Sequence, residues 1–373
     1  MQLSRTVGLA TLASVQLGLI FATSGVAQEG AHPWPTWQRT NSRIGRTETI
    51  GPQTPTLAWR LQVDFYPNEG GRELRATLDA MGRMFIGAAE QVTCVDLRTR
   101  GILWEFPTIS SVLSAPAVHN NLVFFGTGSG DYAKFYCVRA ATGQQVWRFD
   151  IDVPSSIRTS PAVEGNGLVL FNEGRTVYAL RMATGGVAWS RTLNGSMYTS
   201  PSLDGQGRMF HSNLHQDTYF ALDITDGSTL WEVPVNGYTT TTLPVEDGRL
   251  YGGVYRNSCS PRRNYCLDST TGQKIWEVNP CENVAQEIAM GSPESNTLYA
   301  APGGSAGVVY AFDKSDGSIK WKYIADLAFD PPIVDGLDNI YFGSFGSPLY
   351  IWAIRADGTE LWKYPMPDKS LSH

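Results

Sequence analysis

The chain is short of the residues on which most enzymes and metal proteins are built. Its 373 residues hold five Cys and five His. No two Cys are adjacent and no CxxC or CxxCH is present, so there is no haem-attachment site. HExxH, GxSxG and the glycine-rich phosphate loop are missing too, which removes the signatures of zinc proteases, serine hydrolases and phosphate-binding enzymes. Positive charge is scarce. With 29 Lys and Arg against 35 Asp and Glu the net charge is −6. That balance argues against nucleic acid and against non-specific attachment to anionic lipid, both of which call for a basic face. Segments with a helical period are absent. What the chain has in quantity is Gly (38), Pro (21) and apolar residues (42%), a turn-rich globular composition long enough for one large all-β domain.

One long apolar run stands at the start. Arg5 precedes VGLATLASVQLGLIFATSG, and Gly25 and Ala27 sit at the −3 and −1 positions of a cleavage site. We expect residues 1–27 to be a signal peptide, 28–56 a lead-in and 57–373 a single domain. No Cys follows the run, so the expectation is an exported protein, periplasmic or extracellular, not lipid-anchored, with no transmembrane span in the mature chain.

Tryptophan keeps time along the rest. Trp59, Trp104, Trp147, Trp189, Trp231, Trp276, Trp321 and Trp362 are separated by 45, 43, 42, 42, 45, 45 and 41 residues. A mean near ~43 falls in the range of four-stranded propeller blades. Around each Trp the text repeats, as in YFALDITDGSTLWEV and VYAFDKSDGSIKWKY: an apolar strand, a polar turn, and a second strand carrying the Trp. Gly143, Gly227, Gly272, Gly317 and Gly358 each stand four residues before their Trp, where a tight hairpin needs positive φ. Two shorter strands lie upstream of each pair, as in PSLDGQGRMFH. Each unit is therefore an antiparallel meander A–B–C–D. The predicted fold is all-β, a propeller of seven complete blades plus an N-terminal strand of an incomplete eighth, with the eight Trp residues packed between blades rather than binding a ligand.

The pattern ALD-x-x-(T/D)-G-x-x-x-W resembles the repeat of pyrroloquinoline-quinone-type propellers, over nearly all of the chain after residue 27. That group holds quinoprotein dehydrogenases and the scaffold lipoprotein of the outer-membrane β-barrel assembly machinery, so the fold does not choose the function. For a dehydrogenase the resemblance would imply a vicinal Cys pair against the quinone, a calcium held by carboxylate and amide ligands, and a catalytic Asp. The vicinal pair is not in this sequence. The expectation is a non-catalytic monomer that binds an envelope protein or polymer, with no cofactor and no metal. A quinone-dependent dehydrogenase, with PQQ and calcium, or another propeller enzyme is the alternative.

The remaining cysteines and polar loops fit that register. Cys94, Cys137 and Cys266 fill the strand-C slot that holds Ala179, Ala221 and Ala311 elsewhere, and are expected to be buried thiols. Cys259 lies in the B–C loop of the fifth blade and Cys281 in its D–A connection; these connections emerge on one face, so a disulfide between them is allowed. The same face is the expected partner surface. It gathers Arg256, Arg262 and Arg263 from the fifth blade, His211 and His215 from the fourth, and Arg75, Arg158 and Tyr198 at strand-A starts, where Ser114, Thr159 and Thr199 also stand. Glu287 and Asp330 are the acidic residues at those starts. A local cationic patch of this kind suits an anionic glycan, a peptide carboxylate or a partner loop.

The last residues, KSLSH, repeat the beginning of another strand A. Pro116 and Pro201 follow their Trp by twelve residues, and His373 stands eleven after Trp362. With Trp59 in a D-type strand, this predicts an eight-bladed design lacking about three strands, or roughly 30 residues. The rival is a true seven-bladed ring.

Overall fold

The computed structural model describes residues 34–36, 38–59, 75–88, 90–128, 133–151, 155–213, 217–235, 237, 239, 242–254, 263–279, 287–301, 307–325, 332–343 and 350–366. These form 28 strands in seven antiparallel four-stranded sheets, each in the order A–B–C–D. Blade 1 spans 75–107, blade 2 117–150, blade 3 162–192, blade 4 202–234, blade 5 245–278, blade 6 287–324 and blade 7 333–365. It is a seven-bladed propeller. Strands B and C are buried on both sides and read as apolar runs such as LVFFG and VVYAFD; outer strands D alternate, exposing charge on one side and burying Trp on the other.

The junction between blades is built from one Trp, one Gly and one small residue. In every blade the strand-C slot pairs directly with the Trp: Cys94 with Trp104, Cys137 with Trp147, Ala179 with Trp189, Ala221 with Trp231, Cys266 with Trp276, Ala311 with Trp321 and Ala353 with Trp362. A β-bulge follows each pair. The slot is small because the indole lies beside it. Each indole then reaches the next blade. Its Nε1 donates to a carbonyl in that blade's C–D turn, from Trp104 to Ala140 at 2.9 Å through Trp321 to Ala356 at 2.8 Å. Its ring sits under the turn glycine: Gly227 has φ +74°, and a Cβ there would stand 2.7 Å from Trp189. Gly185 has φ +73° and meets Trp147 in the same way. Glycine is required twice over, by conformation and by contact.

The slot cysteines are sealed. Cys94, Cys137 and Cys266 are free and buried, and burial pushes each thiol up to about 12. We therefore expect no labelling of these three by iodoacetamide at pH 8 in the native protein and full labelling in urea, read by mass. Cys259 and Cys281, and with them the disulfide, lie outside the described residues.

Closure uses the N-terminal segment. Trp362 has no following blade, and its Nε1 donates 2.7 Å to the carbonyl of Pro52. Pro52 precedes Trp59 by seven residues, the interval from Ala140 to Trp147, and Trp59 packs against blade 1 beside Met84, Ile86 and Leu97. Residues 52–59 thus act as the C–D turn and the Trp of one more unit. Unlike the seven blade tryptophans, Trp59 is not in a strand, and Arg100 (φ 62°) replaces the turn glycine opposite it.

The lead-in is no mere leader to the domain. From Trp34 to Gly51 it runs around one mouth of the channel as a strap. At the same register position of every strand A, an inward amide donates to it: Leu78 to Trp34 O, Val118 to Pro35 O, Val163 to Asn41 Oδ1, Leu203 to Asn41 O, Val245 to Ser42 O, Met290 to Ile44 O and Val334 to Gly45 O, at 2.7–3.2 Å. These groups form the inner edges of the sheets and would otherwise face the channel unpaired. Arg43 is fully buried. Its guanidinium donates to the carbonyls of Pro201, Ser160 and Pro161 and to Thr36 Oγ1. Arg46 pairs with Glu246, which also receives Lys314. At the far end Asp335 accepts from Gly51 N at 2.8 Å and Tyr341 OH at 2.9 Å.

Candidate functional site

The strap binds the strand-A amides next to the A–B turns, and the D–A and B–C connections emerge at the opposite ends of the strands. There, at the junction of blades 3 and 4, a cavity of about 180 Å³ is lined by Ser156, Arg158, Asn172, Glu173, Met197 and Tyr198. Two of the residues expected from sequence, Arg158 and Tyr198, are brought together in it. Both are exposed. Arg158 makes one hydrogen bond among the described residues, Nε to Ser156 Oγ at 3.0 Å. Glu173, also in the lining, is half-buried, and burial holds its carboxyl above the ordinary carboxylate range. A second cavity of about 180 Å³ lies beyond the same D–A connection, between Arg191, Asn194, Asn213, Phe220 and Glu232.

His211 lies under this surface, not on it. Its ring is 1% exposed and stacked on Phe220. Nε2 meets Asn172 Oδ1 at 2.9 Å, while Nδ1 accepts from Ser212 N at 2.8 Å and contacts Thr199 Oγ1 at 3.2 Å. Nδ1 also lies 3.0 Å from Ser212 O; the neutral ring protonated at Nε2 donates to Asn172 and accepts from Ser212 N. Burial, with the nearby Arg43 charge adding to it, lowers the imidazole to about 4. Thr159 Oγ1 donates to Asn172 Oδ1 at 3.0 Å, and Asn172 Nδ2 to Met197 O at 2.9 Å. The sequence places His211 among loop residues because RMFHSNLH looks like a strand running into a turn; in the structure it still belongs to strand B, which is buried on both sides.

A depressed histidine makes stability depend on acidity. The native chain binds fewer protons than the unfolded one between pH 6.5 and 4, so the contribution is complete above 6.5 and disappears as pH falls through that window. Between pH 7 and 4.5 the wild type is expected to lose about 2–3 kcal/mol more than His211→Phe, since every tenfold difference in proton affinity between the folded and unfolded imidazole is worth ~1.4 kcal/mol. Urea titrations at the two pH values check this; equal losses would remove the assignment of a neutral buried imidazole.

The other expected residues are dispersed or outside the described set. Arg263 stands in strand C of blade 5 and pairs with Glu277. His215, Arg256, Arg262, Asp330 and the side chains of Arg75 and Glu287 lie outside the described residues, as do residues 1–33. Ser114, Thr159 and Thr199 are buried at strand-A starts. Asn172, Glu173 and Arg43 carry no signal in the sequence that singles them out. Among the described residues no three His, Cys, Asp or Glu side chains converge to hold a metal ion, and no helix is long and apolar enough to cross a membrane.

Seven four-stranded blades with a Trp-locked turn define the pyrroloquinoline-quinone-type propeller class. Within it, residues 134–253 and 264–373 match the family described as outer membrane protein assembly factor BamB, and the chain belongs to that family. The outer membrane protein assembly factor BamB of Shewanella oneidensis is 24% identical over 289 residues, 74% of this chain and 69% of that one. The structure of BamB from Moraxella catarrhalis superposes with a TM-score of 0.57 at 17% identity, covering 75% of this chain and 81% of the other. A europium-containing methanol dehydrogenase superposes with a TM-score of 0.69 at 15% identity, covering 94% and 87%.

Proposed function

We propose that the chain is an exported scaffold propeller of the cell envelope that binds a protein partner through the blade 3–4 loops. The observation that carries this reading is the cavity joining an exposed guanidinium, Arg158, to an exposed aromatic, Tyr198, at the end of the blades away from the strap. Arg and Tyr are the side chains that most often anchor protein interfaces. Family membership supports it, since the matching family and the Shewanella oneidensis relative are named as assembly factors. Export rests on the N-terminal apolar run and its small-residue exit.

A photo-crosslinking residue at position 198 is expected to trap one discrete envelope protein, and the same group at His119, on the strap side, none. Arg158→Glu should weaken that partner's affinity at least about tenfold, because a repulsive charge replaces the guanidinium. No adduct at 198, or equal adducts from both faces, would remove the reading.

The likeness to a methanol dehydrogenase sustains a second reading, a quinone-dependent enzyme. The described residues add no support to it. The three described thiols each pair with a separate Trp, and Arg43 of the strap is buried against the strand-A starts of blades 3 and 4. An absorbance change on adding the quinone with calcium would favour it.

A further inference from the structure

The partner face and the strap lie at opposite mouths of the channel, yet one column of buried polar groups connects them. It begins at Arg43. Nε donates to Pro201 O at 2.9 Å and Nη2 to Pro161 O at 3.1 Å and Ser160 O at 3.3 Å. Nη1 donates to Thr36 Oγ1 at 2.7 Å, and that hydroxyl itself donates to Pro161 O at 3.0 Å. The three carbonyls belong to the strand-A starts of blades 3 and 4, two and three residues after Arg158 and three after Tyr198.

Above them the two starts are tied sideways. Ala115 N donates to Ser160 Oγ at 3.0 Å and Ser160 N to Ser200 Oγ at 2.9 Å, a belt running across blades 2, 3 and 4. Thr159 then binds Asn172, Asn172 binds His211 and Met197 O, and His211 binds Thr199. Asn172 and Met197 are walls of the cavity.

We infer that Arg43 and His211 are positioning residues for the partner surface: the guanidinium fixes two strand starts from below, and the imidazole fixes their loops to each other. The planar fork matters, because its donors on three nitrogens reach acceptors spread more widely than the three hydrogens of one ammonium nitrogen can. The strap thereby sets the separation of Arg158 and Tyr198 across the seam. This rests on the blade 3–4 loops being the partner face.

Hydrogen exchange of the full-length protein tests it without any partner. In Arg43→Lys the amides of Ala115, Ser160, Met197 and Ser212 are expected to exchange at least about fivefold faster, while those of Met290 and Val334, which bind the strap at blades 6 and 7, keep their rates. Thr36→Val, which only removes one hydroxyl from the fork, should give a smaller change at Ser160 and serves if the lysine variant folds poorly. His211→Phe keeps the ring stack on Phe220 and should accelerate Met197 and Ser212 but not Val334. Unchanged rates at Ser160 and Met197 would overturn the inference, as would an equal rise over all seven blades, which marks general destabilisation. A failed crosslink at position 198 with the exchange pattern intact would sink the partner reading and leave the positioning role; the reverse result would do the opposite.

Discussion

Trp231→Ala is expected to destabilise the propeller by about 3–5 kcal/mol, the cost of emptying a buried aromatic site. The indole is 9% exposed, packs with Phe210, Val235 and Leu243, and donates 3.0 Å to Ser269 O in the next blade. Truncation opens a cavity and strands that carbonyl together. Its partner, Gly272, has φ +71°, and an added Cβ would stand 2.7 Å from the Trp231 ring. Gly272→Ala is therefore expected to cost about 2–3 kcal/mol, partly conformational and partly steric. The steric part vanishes once the ring is gone. The double variant should thus be less damaged than the two single losses together, by at least about 1 kcal/mol. Urea titrations of all four proteins measure this. Simple additivity would show that the turn and the indole do not share one site.

Deleting residues 34–51 should have a still larger effect: no cooperative unfolding transition by calorimetry. Seven inward amides would lose their acceptors at once, at about 1–3 kcal/mol for each that stays dry. Against a typical domain stability of roughly 5–15 kcal/mol, partial rehydration does not rescue that loss. A gentler version keeps every residue of the strap. A Cβ on Gly336 would collide with Glu48 O, at 2.2 Å, so Gly336→Ala must push the strap from blade 7 and is expected to cost about 1–3 kcal/mol. A deletion variant that melts as sharply as the wild type would mean the ring is closed by blade contacts alone.

The seven complete blades and the Trp junctions were legible because they are local and repeated, whereas the strand expected at Trp59 for an eighth blade is not among the described strands. A turn glycine four residues before a Trp, and a small residue opposite it, recur at fixed spacing, and each carries its own physical reason. The strap was not legible. Its seven carbonyl and amide bonds go to residues up to some three hundred positions away, and its text, TNSRIGRTE, has neither period two nor a hairpin cue. Arg43 looks like a solvated loop residue, and nothing in its neighbours announces burial. The site was half legible. Arg158 and Tyr198 stand where strand-A starts must cluster, but Asn172 and Glu173 reach the cavity from the end of strand B. His211 was misplaced because strand B runs on to Asn213 and is buried on both sides.

The strap also imposes an order of events in time. Its acceptors emerge first during synthesis, while the last inward amide that needs them, Val334, is made about three hundred residues later. Until blade 7 exists the strap can be only partly satisfied, and Trp362 cannot find Pro52. Contacts of such long sequence separation slow folding, because the whole loop must be gathered before they form. A chain with this topology spends longer than its local hairpins require with apolar blade faces uncovered. It is therefore a natural client of whatever holds unfolded chains in the compartment where it matures.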